Sequence, residues 1–273
     1  KGLADRLIYS DSIDYGAEKL NSHAIEVVKR SNGKKLFLYL HYLEPHEYYP
    51  YVNMIHNKWL YISGILPIDK RLVSELKRGY AARVKYLNEK IGELLEEFDR
   101  IGILDDVLVI FTSDHGQDLG ENGLLFHGRG ESENLINVPL FVYEGSAEKQ
   151  RNGYFELRRL HDIILDYAKK GKVDMGKYFS SYAFSEGYGR GTADHIDMSL
   201  VSNKKSRIAH MISNEISRLD HYTFAYMRDG YKLVGEEKGM KMSFKLYCNG
   251  REIEDNEIKN NLVERYRRLK SII

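Results

Sequence analysis

Between residues 71 and 103, apolar side chains return every three or four positions: Val73, Leu76, Tyr80, Val84, Leu87, Ile91, Leu94, Phe98 and Ile101. Lys, Arg and Glu fill the positions between them. Such spacing gathers the apolar groups on one stripe of a long helix, and Gly102 offers the left-handed residue on which helices often end. After a turn containing Asp105 and Asp106, residues 107–111 are apolar without interruption. A short run apolar on both faces is the pattern of a strand covered on both sides. Helix, turn and buried strand make half of a βαβ unit. This predicts an α/β fold built on a mostly parallel sheet sandwiched by helices.

Two further runs extend the pattern. Residues 36–40, ahead of His41, read as a buried strand after a helix carrying Ala17, Leu20, Ala24, Val27 and Val28 and ended by Gly33. Residues 138–143 read as a third strand, ahead of a helix with Leu157, Leu160, Ile163, Ile164 and Tyr167 on one side. Residues 181–185 suit a short strand. Beyond Gly189 the character changes. Residues 222–227 and 231–235 flank Arg228-Asp229-Gly230, a hairpin signal. Residues 244–247 add a strand, and 254–272 a basic amphipathic helix. The division expected is an α/β body over residues 1–189 and a small C-terminal α+β subdomain over 190–273.

Composition narrows the function classes. Lys plus Arg number 41 and Asp plus Glu 40, so the net charge is +1 and nothing marks a nucleic-acid or membrane-surface binder. With 42% hydrophobic and 30% charged residues, the chain can bury a core. A single cysteine excludes an internal disulfide framework and a Cys-rich zinc site. No apolar run approaches the ~20 residues of a membrane span. Many Lys, Glu and Tyr beside only two Gln, Gln117 and Gln150, resemble heat-adapted proteins. The chain begins with Lys1 rather than Met, so missing targeting signals carry little weight; a cytoplasmic setting is the default expectation.

In an open parallel sheet, ligands bind beyond the carboxyl ends of the strands. The second apolar run leads straight into Thr112-Ser113-Asp114-His115-Gly116. A hard carboxylate oxygen and a neutral imidazole nitrogen side by side form half of a divalent-metal site. Taken alone, the same tripeptide is equally a capped turn with a packed ring. The first run ends in His41-Tyr-Leu-Glu44-Pro45-His46, which places two histidines and a carboxylate at the same rim. Twelve residues after His115 comes His127-Gly128-Arg129-Gly130, in a glycine-rich stretch whose backbone can approach an anion closely. Tyr48, Tyr49 and Tyr51 suit packing or a cleft wall. Arg265, Arg267, Arg268 and Lys270 suit a solvated helix face, Asp162 a local ion pair, and Asp194-His195 a loop.

Taken in order, these elements resemble the sulfatases of the alkaline phosphatase superfamily. His41-Tyr-Leu-Glu-Pro-His46 resembles the family's His-x-x-Asp-Pro-His element. Tyr80, Val84, Leu87, Glu89 and Gly92 fall as in its long helix. Thr112-Ser-Asp-His-Gly-Gln-Asp-Leu-Gly-Glu-Asn-Gly123 resembles its Thr-Ser-Asp-His-Gly-Glu signature, and Val138-Pro139-Leu140 its next strand. Met227-Arg-Asp-Gly-Tyr-Lys232 and Lys245-Leu-Tyr247 resemble its C-terminal elements. The resemblance runs over residues 20–273. It implies an alkaline phosphatase-like fold, a divalent metal ion (Ca, Mn, Mg or Zn) on Asp114 and His115, and His46 at the leaving-group oxygen. His127 stands where many sulfatases carry a lysine that binds the sulfuryl oxygens and where phosphate-acting relatives carry a His-Gly.

One part of the family pattern is missing. Its nucleophile lies in a Cys/Ser-x-Pro-x-Arg segment, yet Leu43, Tyr48, Ile65 and Asn137 stand two residues before the four prolines. Cys248 is followed by Asn249-Gly250-Arg251, without proline. The amino-terminal Asp pair of the metal site is absent too, and two protein ligands alone hold a metal weakly, since four to six donors are usual. A fragment or a shortened relative is therefore expected. The functions that follow are a metal-dependent hydrolase of small-molecule or glycan sulfate esters, a phosphodiesterase, phosphomonoesterase or phosphonate hydrolase of the same superfamily, or a catalytically silent scaffold.

Overall fold

The computed structural model describes residues 13–46, 48, 61, 66–120, 123, 125–127, 130–145, 152–188, 221–238 and 241–271. Tyr49, Tyr51, Gly128, Arg129, Asp194 and His195 lie outside the described residues, as does the boundary expected at 189–190. The chain divides into two compact units. The first is Lys1–Val107 with Leu119–Leu124 and Glu144–Ser146; the second is Leu108–Asp118, Leu125–Tyr143 and Ala147–Ile273.

In the first unit, α1 (Ala17–Arg30) packs along α2 (Lys70–Ile101). The long helix runs as its periodicity dictates. Asp69 caps its start by accepting from the Leu72 amide at 2.8 Å, and Gly102 ends it at φ 81°. Leu94 and Phe98 of α2 meet Ala24 and Val28 of α1, with Leu38 and Leu40 laid against them. Polar ties reinforce the pair: Asn21 Nδ2 donates to the Lys90 carbonyl at 2.7 Å and Lys29 pairs with Glu97 at 2.9 Å.

The expected strand at 36–41 is neither helix nor strand and belongs to no ladder among the described residues. Leu38 and Leu40 face the helices, while Phe37 is 70% and Tyr39 76% exposed. An apolar run specifies extended backbone; ladder partners must come from elsewhere in a fold, and the described residues provide none for this segment.

The second unit begins with β1 (Val109–Thr112), the end of the second apolar run. The short strands β2 (Asp118–Leu119) and β3 (Leu125–Phe126) and the one-turn helix α3 (Glu133–Ile136) lead to β4 (Leu140–Tyr143). β4 returns antiparallel to β1, with Thr112 opposite Leu140. The α/β class expected is present, while the mostly parallel sheet is not confirmed by the described residues. Every ladder whose register is defined among the described residues is antiparallel. β1 is half-buried throughout rather than covered on both faces, and Phe141 of β4 is 53% exposed. Strand direction depends on which strands become neighbours, and periodicity holds no information on that.

β5 (Tyr154–Phe155) pairs with β6 (Phe179–Ser180) on either side of α4 (Leu160–Lys170), whose Ile163 is fully buried. A five-stranded antiparallel sheet follows, in the order β11-β10-β9-β8-β7. Its strands are β7 (Tyr182–Gly187), β8 (Thr223–Arg228), β9 (Tyr231–Lys238), β10 (Lys241–Cys248) and β11 (Arg251–Ile253). Asp229 and Gly230, at φ 53° and 81°, turn β8 into β9 as the sequence foretold. Asn249 and Gly250 turn β10 into β11 the same way, at φ 49° and 73°. α5 (Asn256–Lys270) covers the sheet, capped by Asp255 and packed through Leu262 and Tyr266. The Tyr266 ring stacks on Phe224 at 3.8 Å. Opposite Phe224, Gly235 has no room for a side chain, since a Cβ there would sit 2.0 Å from the Phe224 ring.

Candidate active site

The site begins where β1 gives out. Thr112 Oγ1 donates to the Pro139 carbonyl at 2.9 Å, closing the strand end, and Ser113 Oγ donates to the His115 carbonyl at 2.6 Å, curling the next residues into a tight turn. Gly116 then runs against the backbone of α3. Its amide donates to the Leu135 carbonyl at 2.7 Å, and the Gln117 amide to the Asn134 carbonyl at 2.9 Å. A Cβ on Gly116 would lie 1.8 Å from the Asn134 carbonyl oxygen, so close approach, and not an unusual φ, requires glycine here.

This turn presents Asp114 and His115 to solvent. The Asp114 side chain is 79% exposed and that of His115 38%; neither is sunk in packed hydrocarbon. Asp114 Oδ1 accepts from the His115 amide at 3.0 Å, and Oδ2 lies 3.8 Å from His115 Nε2. His115 Nδ1 sits 2.8 Å from the Gly116 carbonyl oxygen. A carbonyl only accepts, so Nδ1 carries the proton and the lone pair of the neutral ring is on Nε2. Donation of the second ring nitrogen to a carbonyl is also what orients imidazoles that ligate metals.

His127 completes the group. Its ring stacks on His115 with centroids 4.2 Å apart and planes 28° from parallel. Its Nδ1 meets Gln117 Oε1 at 3.0 Å. His127 lies twelve positions after His115 in sequence, and the turn brings the two rings together. Gln117 was not among the residues expected in the site; its only mark in the sequence is that glutamine is so scarce.

Behind these residues lies a buried polar layer that sequence reasoning also missed. Asp118, 3% exposed, accepts from Ser132 Oγ at 2.9 and 3.1 Å. Glu131, 7% exposed, accepts from Ser185 Oγ at 2.6 Å. Burial pushes the Glu131 carboxyl above the usual carboxylate range, against the opposing pull of its Ser185 and Thr223 hydrogen bonds and nearby Lys232. The fold therefore binds this proton more tightly than the unfolded chain does. Its contribution to stability is complete below the ordinary glutamate pKa and is lost as pH rises through the raised value. Urea midpoints measured upward from about pH 4 should fall less steeply for Glu131→Gln, which has no proton to lose, than for the unsubstituted protein. Identical slopes would contradict this.

His46 belongs to the first unit. The residue is exposed, and its amide closes a turn on the Leu43 carbonyl at 3.0 Å. That turn is held from two sides. Glu44, 1% exposed, takes the Tyr15 and Ala17 amides on Oε1 at 3.1 and 2.9 Å, capping α1 where Gly16 has no side chain to do so. Tyr42 donates to Asn21 Oδ1 at 2.7 Å. The carboxylate expected at a reactive rim is thus a helix cap. Tyr48 is buried edge-on against Tyr80, a packing role. Asp162 pairs locally with Arg159 and His161.

Asp114 and His115 offer a carboxylate oxygen and an oriented imidazole nitrogen, a donor set that suits a divalent cation. Among the described residues, no group of three or more His, Cys, Asp or Glu side chains is placed to hold a metal. A cleft of about 570 Å3 along the first turns of α2 is lined by Asp69, Lys70, Ser74, Lys77 and Arg78, and by none of the four candidate residues. No helix among the described residues is long and apolar enough to cross a membrane.

Comparison with known proteins follows the same lines. The family model described as Sulfatase matches residues 9–168, more than half of the chain. A choline-sulfatase of Rhizobium meliloti is 44% identical over 75 residues, which are 28% of this chain and 14% of that protein. An N-acetylglucosamine-6-O-sulfatase of Bacteroides thetaiotaomicron is 40% identical over 72 residues, 26% of this chain and 13% of that one. Among solved structures, the phosphonate monoester hydrolase SpPMH from Silicibacter pomeroyi superposes with a TM-score of 0.64 at 14% identity, covering 96% of this chain and 59% of that chain. This last likeness is one of fold. The chain thus spans about three-fifths of that hydrolase, and the matched stretches are about a seventh of each curated relative.

Proposed function

As the chain belongs to the sulfatase family, we propose that the complete protein is a metal-dependent hydrolase of sulfate esters on small molecules or glycans. The observation that carries the reading is the cluster at the end of β1: an exposed carboxylate, an imidazole with its lone pair fixed on Nε2, and a second imidazole stacked on the first. Asp114 and His115 would hold a divalent cation, which when bound lowers the pKa of the nucleophile and neutralises charge on the ester oxygens. His127, its ring set by Gln117 and His115, binds those oxygens from the side. His46 gives a proton to the departing oxygen, a task suited to an imidazole near neutral pH. In this reading β1 is a member of a larger, mostly parallel sheet, and the partial burial of all four of its residues supports it.

A second reading, hydrolysis of phosphate or phosphonate esters, draws on His127 in place of lysine and on the fold of the phosphonate hydrolase. Aryl sulfate and aryl phosphate esters, assayed in parallel on the full-length gene product with Mn, Mg, Ca or Zn added, separate the two. We expect sulfate ester turnover to dominate. A preference for phosphate by orders of magnitude would reject the sulfatase reading, and no turnover of either would leave a silent scaffold.

A further inference from the structure

We infer that Lys232, on the C-terminal sheet, is a positioning residue for the histidine pair. The inference rests on the reading of His115 and His127 as site residues, but its test does not depend on catalysis. Lys232 is the second residue of β9 and is 6% exposed, an unusual burial for an ammonium group. Its Nζ donates to the Glu131 carbonyl at 3.0 Å and pairs with Glu133 Oε1 at 2.7 Å, and it stands 5.3 Å from the centre of the Tyr247 ring. The two preceding strands of the sheet grip the same residue. Ser185 of β7 donates to Glu131 Oε2 at 2.6 Å, and Thr223 of β8 approaches Oε1 at 3.4 Å. Gly187 leaves room for this, since a Cβ there would lie 2.8 Å from Thr223 Oγ1 and 3.0 Å from Glu131 Oε1. Three consecutive strands therefore close on one buried acidic residue.

That residue begins the segment from which the site turn hangs. Ser132, next in sequence, binds Asp118, and the carbonyls of Asn134 and Leu135 take the amides of Gln117 and Gly116. Gln117 holds His127, and Gly116 holds His115. Without the Lys232 ammonium group, the Glu131 carbonyl is left unsatisfied beside a buried carboxylate, and the segment must shift toward water to recover a partner. The hydrogen-bonded frame carries that shift to both imidazoles. The sheet that follows the site in sequence thereby fixes the ring geometry within it.

Imidazole resonances of the 273-residue chain provide the test. In Lys232→Met the signals of His115 and His127 should move by more than their line widths, those of His23 and His161 should stay in place, and Lys232→Arg should return most of the change. Glu133→Gln, which leaves the bond to the Glu131 carbonyl intact, should move the same two signals less, and serves if Lys232→Met does not fold. A folded Lys232→Met, or Glu133→Gln where it does not fold, with both site signals unmoved and only a lower melting temperature, would make Lys232 a stability residue and overturn the inference. Displaced signals in a variant whose full-length form keeps wild-type ester kinetics would uphold the positioning and count instead against the proposed function.

Discussion

Asp114→Ala and His115→Ala should each lower kcat/KM of the full-length protein by at least the ~10²- to 10³-fold that loss of one charge-stabilising group costs. Both should reduce bound divalent metal. The two side chains do little for the fold, with Asp114 79% and His115 38% open to solvent. Its removal should change stability by no more than about 0.5 kcal/mol, as at other surface positions. His115→Ala also loses the stack on His127 and should cost about 1 kcal/mol. Large loss of turnover with little loss of stability is the pattern of ligands; a packed ring and a capped turn would give the reverse. Equilibrium dialysis with Mn or Ca beside urea unfolding measures both quantities on the same variants. Unchanged metal content in both rejects the ligand assignment even if activity falls.

What could be read from the sequence was local. The long helix was legible because the stripe from Val73 to Ile101 and the cap signals at its ends all act within a few residues of one another. The hairpin at Asp229-Gly230 was legible for the same reason, and Asn249-Gly250 carries the same local signal at the turn from β10 to β11. Asp114, His115 and His127 were legible as candidates following a strand end, and the structure groups them through the turn between them. The buried polar layer was not legible. Lys232 and Glu131 lie 101 positions apart, and a lysine in a strand reads as a solvent-facing residue until the fold is known. Strand pairing was not legible on the same ground. Residues 36–40 and 109–112 are apolar enough to be interior strands, but which partners cover them is a property of the assembled sheet. Glu44 shows a subtler limit: only the structure shows one oxygen of its carboxylate taken by the amides of Tyr15 and Ala17 at the start of α1.

Gly116→Ala is expected to be the most damaging single methyl group in the site. The added carbon would lie 1.8 Å from the Asn134 carbonyl oxygen, 2.9 Å from its carbon and 3.3 Å from the Leu135 Cα. All three are backbone atoms, so no change of rotamer relieves the overlap. The turn must lift away from α3, giving up the bonds from Gly116 to Leu135 and from Gln117 to Asn134. Two weakened hydrogen bonds and the packing strain together come to about 2–5 kcal/mol, a sizeable part of the ~5–15 kcal/mol that holds a domain folded. The damage is also directed. His115 precedes this residue and Gln117, which anchors His127, follows it, so molecules that stay folded should lose the ring stack. Gly92→Ala is the matching control. Gly92 lies inside α2 with no atom within 4 Å of the added carbon, and the exchange should stabilise the helix by about 0.5–1 kcal/mol. Urea midpoints moving in opposite directions for the two substitutions are the expected result. An unshifted midpoint for Gly116→Ala would mean that the turn does not lie against α3, and with that the arrangement of Asp114, His115 and His127 would have to be redrawn.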